Sequence, residues 1–482
     1  MKWFITLSVL LLFGTSSFAQ LVPSIPEEKW DLRKCVDYAM QNNISVRQAD
    51  LHIRFAELEL YQTKQSLYPS ANFSSSLGYS SGRNQDPTSF TLITTGYIFN
   101  NVSLQASVDL FNWFTKKNTI AAKDLNVKAT LAGVEKAKND VALNVAVGYL
   151  QILLAREQIV LARSKVAQTK SQLESTRKQV EAGKIPELNA VNLESVLASD
   201  SSSLISAETS ARQSLLQMKA LLNMDAAALF DIVTPPVDLI PVESLGDLQP
   251  DVVYNLAMSN MPQQKEDALK VQAAKKSVEV ARGSMYPSFS LFVSFGSTYN
   301  TKAREIKSKT QVFSPIGAVT VSGTPYQVFP LSPFEVYTFG SMTYFGQLNK
   351  NFRQSVGISA SVPIFNGSNL RTAWQRSKLT VRQSELQQEQ NSFTLKQDIY
   401  KAYDDAVASV QKFNANKKIV ESSLKAYDFA SKRYELGLLS TYDLITTQTT
   451  LQQAKSQLLY SQYDYVFKMK LLEFYKGQGL KL

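Results

Sequence analysis

The sequence predicts a mainly helical protein with a membrane β-barrel segment, built from one helix, β-hairpin and long coiled-coil unit repeated in tandem. Three observations predict it: internal repetition, four alternating segments, and a heptad seam that occurs twice. Tyr68-Pro69-Ser70 returns as Tyr286-Pro287-Ser288. Ser107-Val108-Asp109-Leu110-Phe111-Asn112 returns as Ser361-Val362-Pro363-Ile364-Phe365-Asn366, and Gly183, between two helical stretches, returns as Gly437. The offset from 68 to 286 is 218 residues, whereas 107 to 361 and 183 to 437 are both 254, so the second copy carries 36 extra residues at one place. Self-similarity of this length sets the architecture before any motif is read.

Taken in order, residues 1–19 have the pattern of a secretory signal, with Lys2 first, an apolar run over 3–13 and a small-residue cleavage site at Ser17-Phe18-Ala19. The mature chain is expected to start at Gln20 without acylation, because the only cysteine, Cys35, lies well past that site. The first repeat is expected over 20–233, with helices, strands at about 71–80 and 102–111, and a long helical hairpin over 113–222. Asp31 suits an N-cap for 32–42, and a second helix over about 44–67 stops at Tyr68-Pro69, since a proline disfavours helix in the residue before it. A proline-rich linker covers 234–250. The second repeat, 251–482, has strands at about 289–299 and 352–364 and a helical hairpin over 368–475. The 36 extra residues fall within 300–351, a long loop with several prolines and many aromatics and room for short strands of its own.

The strand segments alternate with period two. Phe73, Leu77 and Tyr79 oppose Asn72, Ser74, Ser76, Gly78 and Ser80, and Val102, Leu104, Ala106, Val108 and Leu110 oppose Ser103, Gln105, Ser107 and Asp109. Phe289, Leu291, Val293, Phe295 and Tyr299 oppose Ser290, Ser294, Gly296 and Thr298, and Val356, Ile358, Ala360, Val362 and Ile364 oppose Arg353, Ser355, Gly357, Ser359 and Ser361. Each is long enough to cross a bilayer at a tilt. A soluble sandwich alternates too, but usually places Lys and Glu outside. Small uncharged residues opposite apolar ones fit a membrane barrel with a wet lumen. Four such strands leave open edges, which lipid does not tolerate, so they must close with strands of other copies.

Between the strands, Val145, Ile152, Ile159, Val166, Leu173 and Val180 recur every seven residues, with Val141, Gly148, Ala155 and Ala162 four positions before. This a/d seam reappears in the same register as Ile399, Ala406, Phe413, Val420, Tyr427 and Tyr434. A proline-free helix over 115–182 would run about 100 Å at 1.5 Å per residue. No later segment has the ~18 or more uninterrupted apolar residues of a transmembrane helix; the best stretch, 141–155, is broken by Asn144, Gly148 and Gln151.

The net charge of +10 is spread along helices among Gln, Ser and Glu, without a basic-aromatic patch, so no nucleic-acid partner is expected. His52 is the only histidine and has no partners of metal-ligand spacing, so neither metal nor cofactor is expected. A P-loop, a nucleophile elbow and a plausible acid pair are all missing from the sequence, which argues against an enzyme.

The tandem repeat, Ser-Val-Pro-Ile-Phe-Asn-Gly over 361–367 and Arg-Tyr-Glu-Leu-Gly-Leu-Leu-Ser-Thr-Tyr-Asp-Leu over 433–444 together resemble the TolC-like outer-membrane efflux family across essentially the whole mature chain. The resemblance implies an outer-membrane channel, the exit duct of a tripartite efflux or type I secretion system, in the outer membrane of a Gram-negative bacterium. It implies a homotrimer whose twelve-stranded barrel is embedded in lipid and continues into a helical tunnel in the periplasm. A periplasmic adaptor and an inner-membrane pump are the implied partners. It also implies that the hairpin tips, 181–189 and 435–443, meet the adaptor and form the closed gate. The docking residues would be Gly183, Lys184, Pro186, Gly437, Leu438 and Ser440. Tyr434 matches the family's gate tyrosine. The family's acidic positions are here Asn189, Asp443 and Thr446, so only Asp443 keeps the charge, and a gate arginine is replaced by Leu439. Asp443 reads either as a selectivity residue or as a solvated acid at a helix start. Two other classes share some features: a periplasmic adaptor, which has one hairpin in one copy, and a coiled-coil structural or adhesin protein of the envelope, which lacks the strand pairs.

Overall fold

The computed structural model describes residues 29–85, 90–234 and 243–477. The expected signal segment and part of the linker, 235–242, lie outside them. The described chain forms α1 (Leu32–Asn42), α2 (Ile44–Gln65), β1 (Ser70–Gln85), β2 (Leu92–Phe111), α3 (Thr115–Glu181), α4 (Leu188–Leu221), α5 (Pro250–Asn260), α6 (Pro262–Gly283), β3 (Ser288–Asn300), β4 (Arg304–Val312), β5 (Gly317–Val321), β6 (Thr324–Val328), β7 (Phe334–Ser341), α7 (Tyr344–Lys350), β8 (Arg353–Ser361), α8 (Asn369–Glu435) and α9 (Thr441–Lys476). The residues divide into two compact units. One contains 48–136 and 261–395 and holds every strand; the other contains the chain up to 47, 137–260 and from 396 onward, and is helical.

Local chemistry sets the helix ends. Asp31 Oδ1 accepts the Lys34 N–H at 2.8 Å and so satisfies one of the orphan donors of α1. Helices α2 and α6 both stop a few residues before Tyr-Pro, at Gln65 and Gly283, and the chain is extended again by Ser70 and Ser288. Pro262 opens α6, where its missing N–H leaves nothing unsatisfied.

In the strand unit, β1, β2, β3 and β8 form one antiparallel sheet in that order. The register puts like with like. Phe73, Leu104 and Phe295 lie in one row, and Val108, Leu291 and Ile358 in another of the same face. Ser74, Ser103, Gly296 and Arg353, and Asn72, Gln105, Ser294 and Ser355, line the other face. The apolar face is bare: Phe73 is 70% exposed, Leu77 75%, Val356 72% and Ile358 67%. Such a band of apolar side chains in water is intelligible only if lipid or protein covers it. The outward edges of β1 and β8 are unpaired among the described strands.

The expected alternation fails at three places: a bulge between Asp109 and Phe111 takes Leu110 out of the ladder, β8 ends at Ser361 short of Val362 and Ile364, and Phe292 changes face. Phe292 sits on the polar face, level with Ser107 and Gly357. Its ring lies across Gly357, where a Cβ would come within 2.8 Å of it, and Phe99 covers Gly78 in the same way at 2.6 Å. A glycine opposite an aromatic ring gives the ring a place to lie flat, so the polar face stays low despite its two phenylalanines.

The 300–351 segment is structured. After β3, β4 pairs with β7, and between them β5 pairs with β6. Helix α7 then folds back on β3: Gln347 Oε1 accepts the Asn300 N–H and its Nε2 donates to the Asn300 carbonyl, both at 2.9 Å, while Tyr344 donates to Asn100 Oδ1 at 2.9 Å. Lys307 and Lys350 both pair with Glu305 and hold its carboxyl down to about 2.

The helical unit packs α1 against the middle of α3. Leu32, Cys35, Ala39, Val145, Tyr149, Ile152, Leu153, Met218, Leu222 and Ile232 form its core. By length and composition α3 could cross a membrane. Its apolar stretch instead supplies this core, including Val145, Ile152 and Leu153, none of which is exposed. Cys35 lies fully buried there, and burial pushes its thiol up to about 12, so it is an unreactive packing residue.

Candidate functional site

Both tips end in the same motif. Gly183 has φ +66° and Gly437 φ +73°, the left-handed region that glycine enters without strain. The Gly183 N–H donates to the Val180 carbonyl and the Lys184 N–H to the Gln179 carbonyl, each at 2.9 Å. The Gly437 N–H donates to the Tyr434 carbonyl and the Leu438 N–H to the Arg433 carbonyl, again at 2.9 Å. These are paired Schellman closures of α3 and α8. Gly183, Lys184, Pro186, Gly437, Leu438 and Ser440 are all exposed.

The next helices start differently. Ser440 Oγ accepts the Asp443 N–H at 3.1 Å and donates to Asp443 Oδ2 at 2.7 Å, so the two side chains close the start of α9 together. The equivalent positions in the first tip are Pro186 and Asn189. Glu187 precedes α4 without a side-chain capping bond, and Asn189 meets Pro186 through the backbone only, at 3.1 Å. Asp443 is exposed and Asn189 half-buried. The structure shows no bond between these two side chains.

Tyr434 stands just behind the second tip and, unlike the exposed tip residues, is buried. It is 5% exposed, packed with Ala430, Leu444, Tyr427 and Leu439. Its hydroxyl is 3.0 Å from Thr176 Oγ1 and accepts from Thr441 Oγ1 at 3.3 Å, so one phenol ties α3 to α8 and α9. A second buried knot joins α3 to α4 and α9. Asp200 Oδ2 accepts from Thr169 Oγ1 at 2.7 Å, Lys165 Nζ reaches Asp200 Oδ1 at 2.8 Å, and Gln448 Nε2 donates to Thr169 Oγ1 at 3.2 Å. Gln452 Nε2 donates to Gln168 Oε1 at 3.2 Å.

Thr169, Thr176, Thr441 and Gln448 were not picked out from the sequence, although a signal was there. Continuing 141, 148, 155 and 162 by sevens arrives at Thr169 and Thr176, and Thr441 and Gln448 are also seven apart. Seam positions that turn polar mark where a coiled coil sets register at some cost in stability. Among the described residues no group of three or more His, Cys, Asp and Glu is placed to hold a metal.

The sequence profile described as "Outer membrane efflux protein" matches residues 35–224 and 253–475. The chain belongs to the outer membrane efflux protein family. Family membership, that of non-enzymatic outer-membrane channels, sets aside the adaptor and adhesin readings. The pyoverdine export outer membrane protein OpmQ of Pseudomonas aeruginosa is 21% identical over 362 residues, 74% of this chain and 65% of its own. Outer membrane protein TolC of Escherichia coli is 25% identical over 114 residues, 24% of this chain and 23% of its own. These alignments span less than two thirds of either relative. The crystal structure of CusC superposes with a TM-score of 0.74 at 18% identity, covering 93% of this chain and 92% of that one. At this identity CusC shows the fold alone, and the fold of this outer membrane efflux protein is the same one: mainly helical, with strand hairpins.

Proposed function

We propose that this protein is the outer-membrane exit duct of a tripartite efflux or type I secretion system. Three copies join β8 of one to β1 of the next, and the twelve strands close a barrel whose bare apolar face meets lipid and whose Ser, Asn and Gln face lines the lumen. The observation that carries this reading is the four-stranded sheet with two open edges and one exposed apolar face. In lipid each unpaired backbone group costs several kcal/mol, so the sheet cannot remain a single copy. The two halves act as repeats over 20–233 and 251–482 joined by the 234–250 linker. A periplasmic adaptor docks on the two exposed tips, and an inner-membrane pump supplies the energy. Light scattering of the detergent-purified full chain, corrected for bound detergent, is expected to give a trimer; a stable monomer overturns the shared barrel.

The gate of this chain is a hydroxyl knot rather than an ionic lock. Opening the tips breaks the Thr176–Tyr434–Thr441 contacts, and no arginine stands at Leu439 to replace them. Charge selectivity falls to Asp443. Three copies near a common axis form a small anionic ring, which in a narrow low-dielectric mouth concentrates cations. Asp443→Asn is expected to lower cation preference in planar-bilayer recordings. Asparagine keeps an oxygen for Ser440, so the helix start survives and only charge is removed. The loss shrinks at high salt through screening, and Asn189→Asp shifts selectivity the other way. Unchanged reversal potentials in both variants at low salt would leave Asp443 as a helix-start residue only.

A further inference from the structure

Residues 310–334 contain no Asp, Glu, Lys, Arg or His. Within them, β5 and β6 form a hairpin with an amphipathic register. Val319 pairs with Tyr326, Val321 with Thr324 and Gly317 with Val328 on one face, and Ala318 with Gln327 and Thr320 with Pro325 on the other. Ser322 at φ +54° and Gly323 at φ +89° make the two-residue turn, both in the left-handed region that a tight hairpin with native twist requires. The apolar face is uncovered: Val319, Val321, Tyr326 and Val328 are all exposed, as are Phe313, Ile316 and Phe329 beside them. An isolated two-stranded hairpin is at best marginally stable in water, and this one pairs with no other strand described.

We propose that this hairpin is an interface between copies of the chain, its apolar face closing on the same hairpins of the other two subunits to form a collar outside the membrane. The proposal rests on the trimeric reading above. Lipid is a poor occupant because of what lies between the barrel and the hairpin. Strands β4 and β7 form a stalk of about 30 Å at ~3.4 Å per residue. It carries Arg304, Glu305, Lys307, Lys309 and Glu335, with Glu305 paired to Lys307 and Glu335 to Lys309. A charged stalk does not lie in hydrocarbon, so the hairpin beyond it stands clear of the bilayer. A second copy fits the missing charge. Identical segments meeting round an axis bring each charge against its own like, and a neutral segment avoids that repulsion. The hairpin also emerges between β3 and β8, and β8 is the strand that the barrel joins to the next copy.

Single cysteines test this in the full chain. Val319→Cys and Tyr326→Cys are treated in detergent with a short bis-maleimide, with Thr320→Cys, on the opposite face, as control. Buried Cys35 stays unlabelled. Each thiol can be joined to only one other, so up to two of the three Val319→Cys or Tyr326→Cys chains in a trimer are expected to run as covalent dimers on denaturing gels, and few Thr320→Cys chains. Light scattering on the same samples reports the assembly separately. A trimer in which Val319→Cys and Tyr326→Cys link no more than Thr320→Cys overturns the collar and leaves the exit duct standing, whereas a monomer overturns the duct as well. A bimane on Val319→Cys that is quenched by brominated lipid in proteoliposomes names lipid as the occupant and likewise overturns the collar.

Discussion

Lysine at Val356 or Leu104 should abolish or sharply reduce trimer in the outer membrane, and lysine at Ser355 or Ser103 should not. The register sets the two pairs on opposite faces of the same sheet: Val356 stands level with Val293 and Leu104 with Phe295, while Ser355 stands level with Ser294 and Ser103 with Gly296. On the lipid side an ammonium near the bilayer midplane costs about 2–4 kcal/mol. In a trimer that cost is met three times, once per copy. On the lumen side the same ammonium stays hydrated. The measurement is the yield of heat-modifiable trimer from membranes. Equal yields for the two pairs would reject the assignment of faces.

A second large effect is expected in the helical unit at Glu473. Its Oε2 pairs with Lys470 Nζ at 2.8 Å, and the two residues are 6% and 3% exposed. The other oxygen accepts the Glu243 N–H at 3.0 Å, and the Glu243 carboxylate pairs with Lys476 at 2.8 Å. One side chain thus ties the linker, at Glu243, to α9. Glu473→Ala leaves the Lys470 ammonium buried without a partner and the Glu243 N–H without an acceptor. Breaking a buried pair this way costs about 3–5 kcal/mol. Urea unfolding followed by helical circular dichroism is expected to show that loss. The double replacement Lys470→Met with Glu473→Leu should recover much of it, because no unpaired charge remains. A single variant within about 1 kcal/mol of the parent would show that the pair is hydrated, as surface pairs are.

Much of this molecule is legible in its sequence because the signals are periodic. Alternation at Phe73, Leu104 and Val356 and heptads at Val145, Ile152 and Ile399 each reflect a backbone repeat that the chain cannot avoid, so pattern and structure agree there. The turn glycines are legible for a related reason: Gly183 and Gly437 sit where the backbone enters a region closed to most residues. Asp31 and the two Tyr-Pro pairs mark boundaries by local hydrogen bonding and sterics alone.

The tips were harder to read. Asp443 and Ser440 form a pair three residues apart on one helix start, a local bond within reach of sequence reasoning. Tyr434 stands out as a seam residue and by its match to the family's gate tyrosine, but its partner Thr176 is 258 residues away, and nothing local links them. The knot of Thr169, Asp200 and Gln448 is equally non-local. The order of the sheet, with β2 beside β3 and β1 and β8 left as edges, also depends on pairing across most of the chain.

The sequence by itself determined the duplicated architecture, the strand faces, the helix ends and the glycine turns, since each follows from backbone periodicity or from steric rules acting over a few residues. The tertiary structure alone decided that Phe292 lies on the polar face over Gly357, that residues 300–351 hold a charged stalk with a neutral hairpin, and that Tyr434 is buried in a hydroxyl knot. Those outcomes depend on which distant groups meet, and one polar residue at a seam position carries no mark of the partner that will satisfy it.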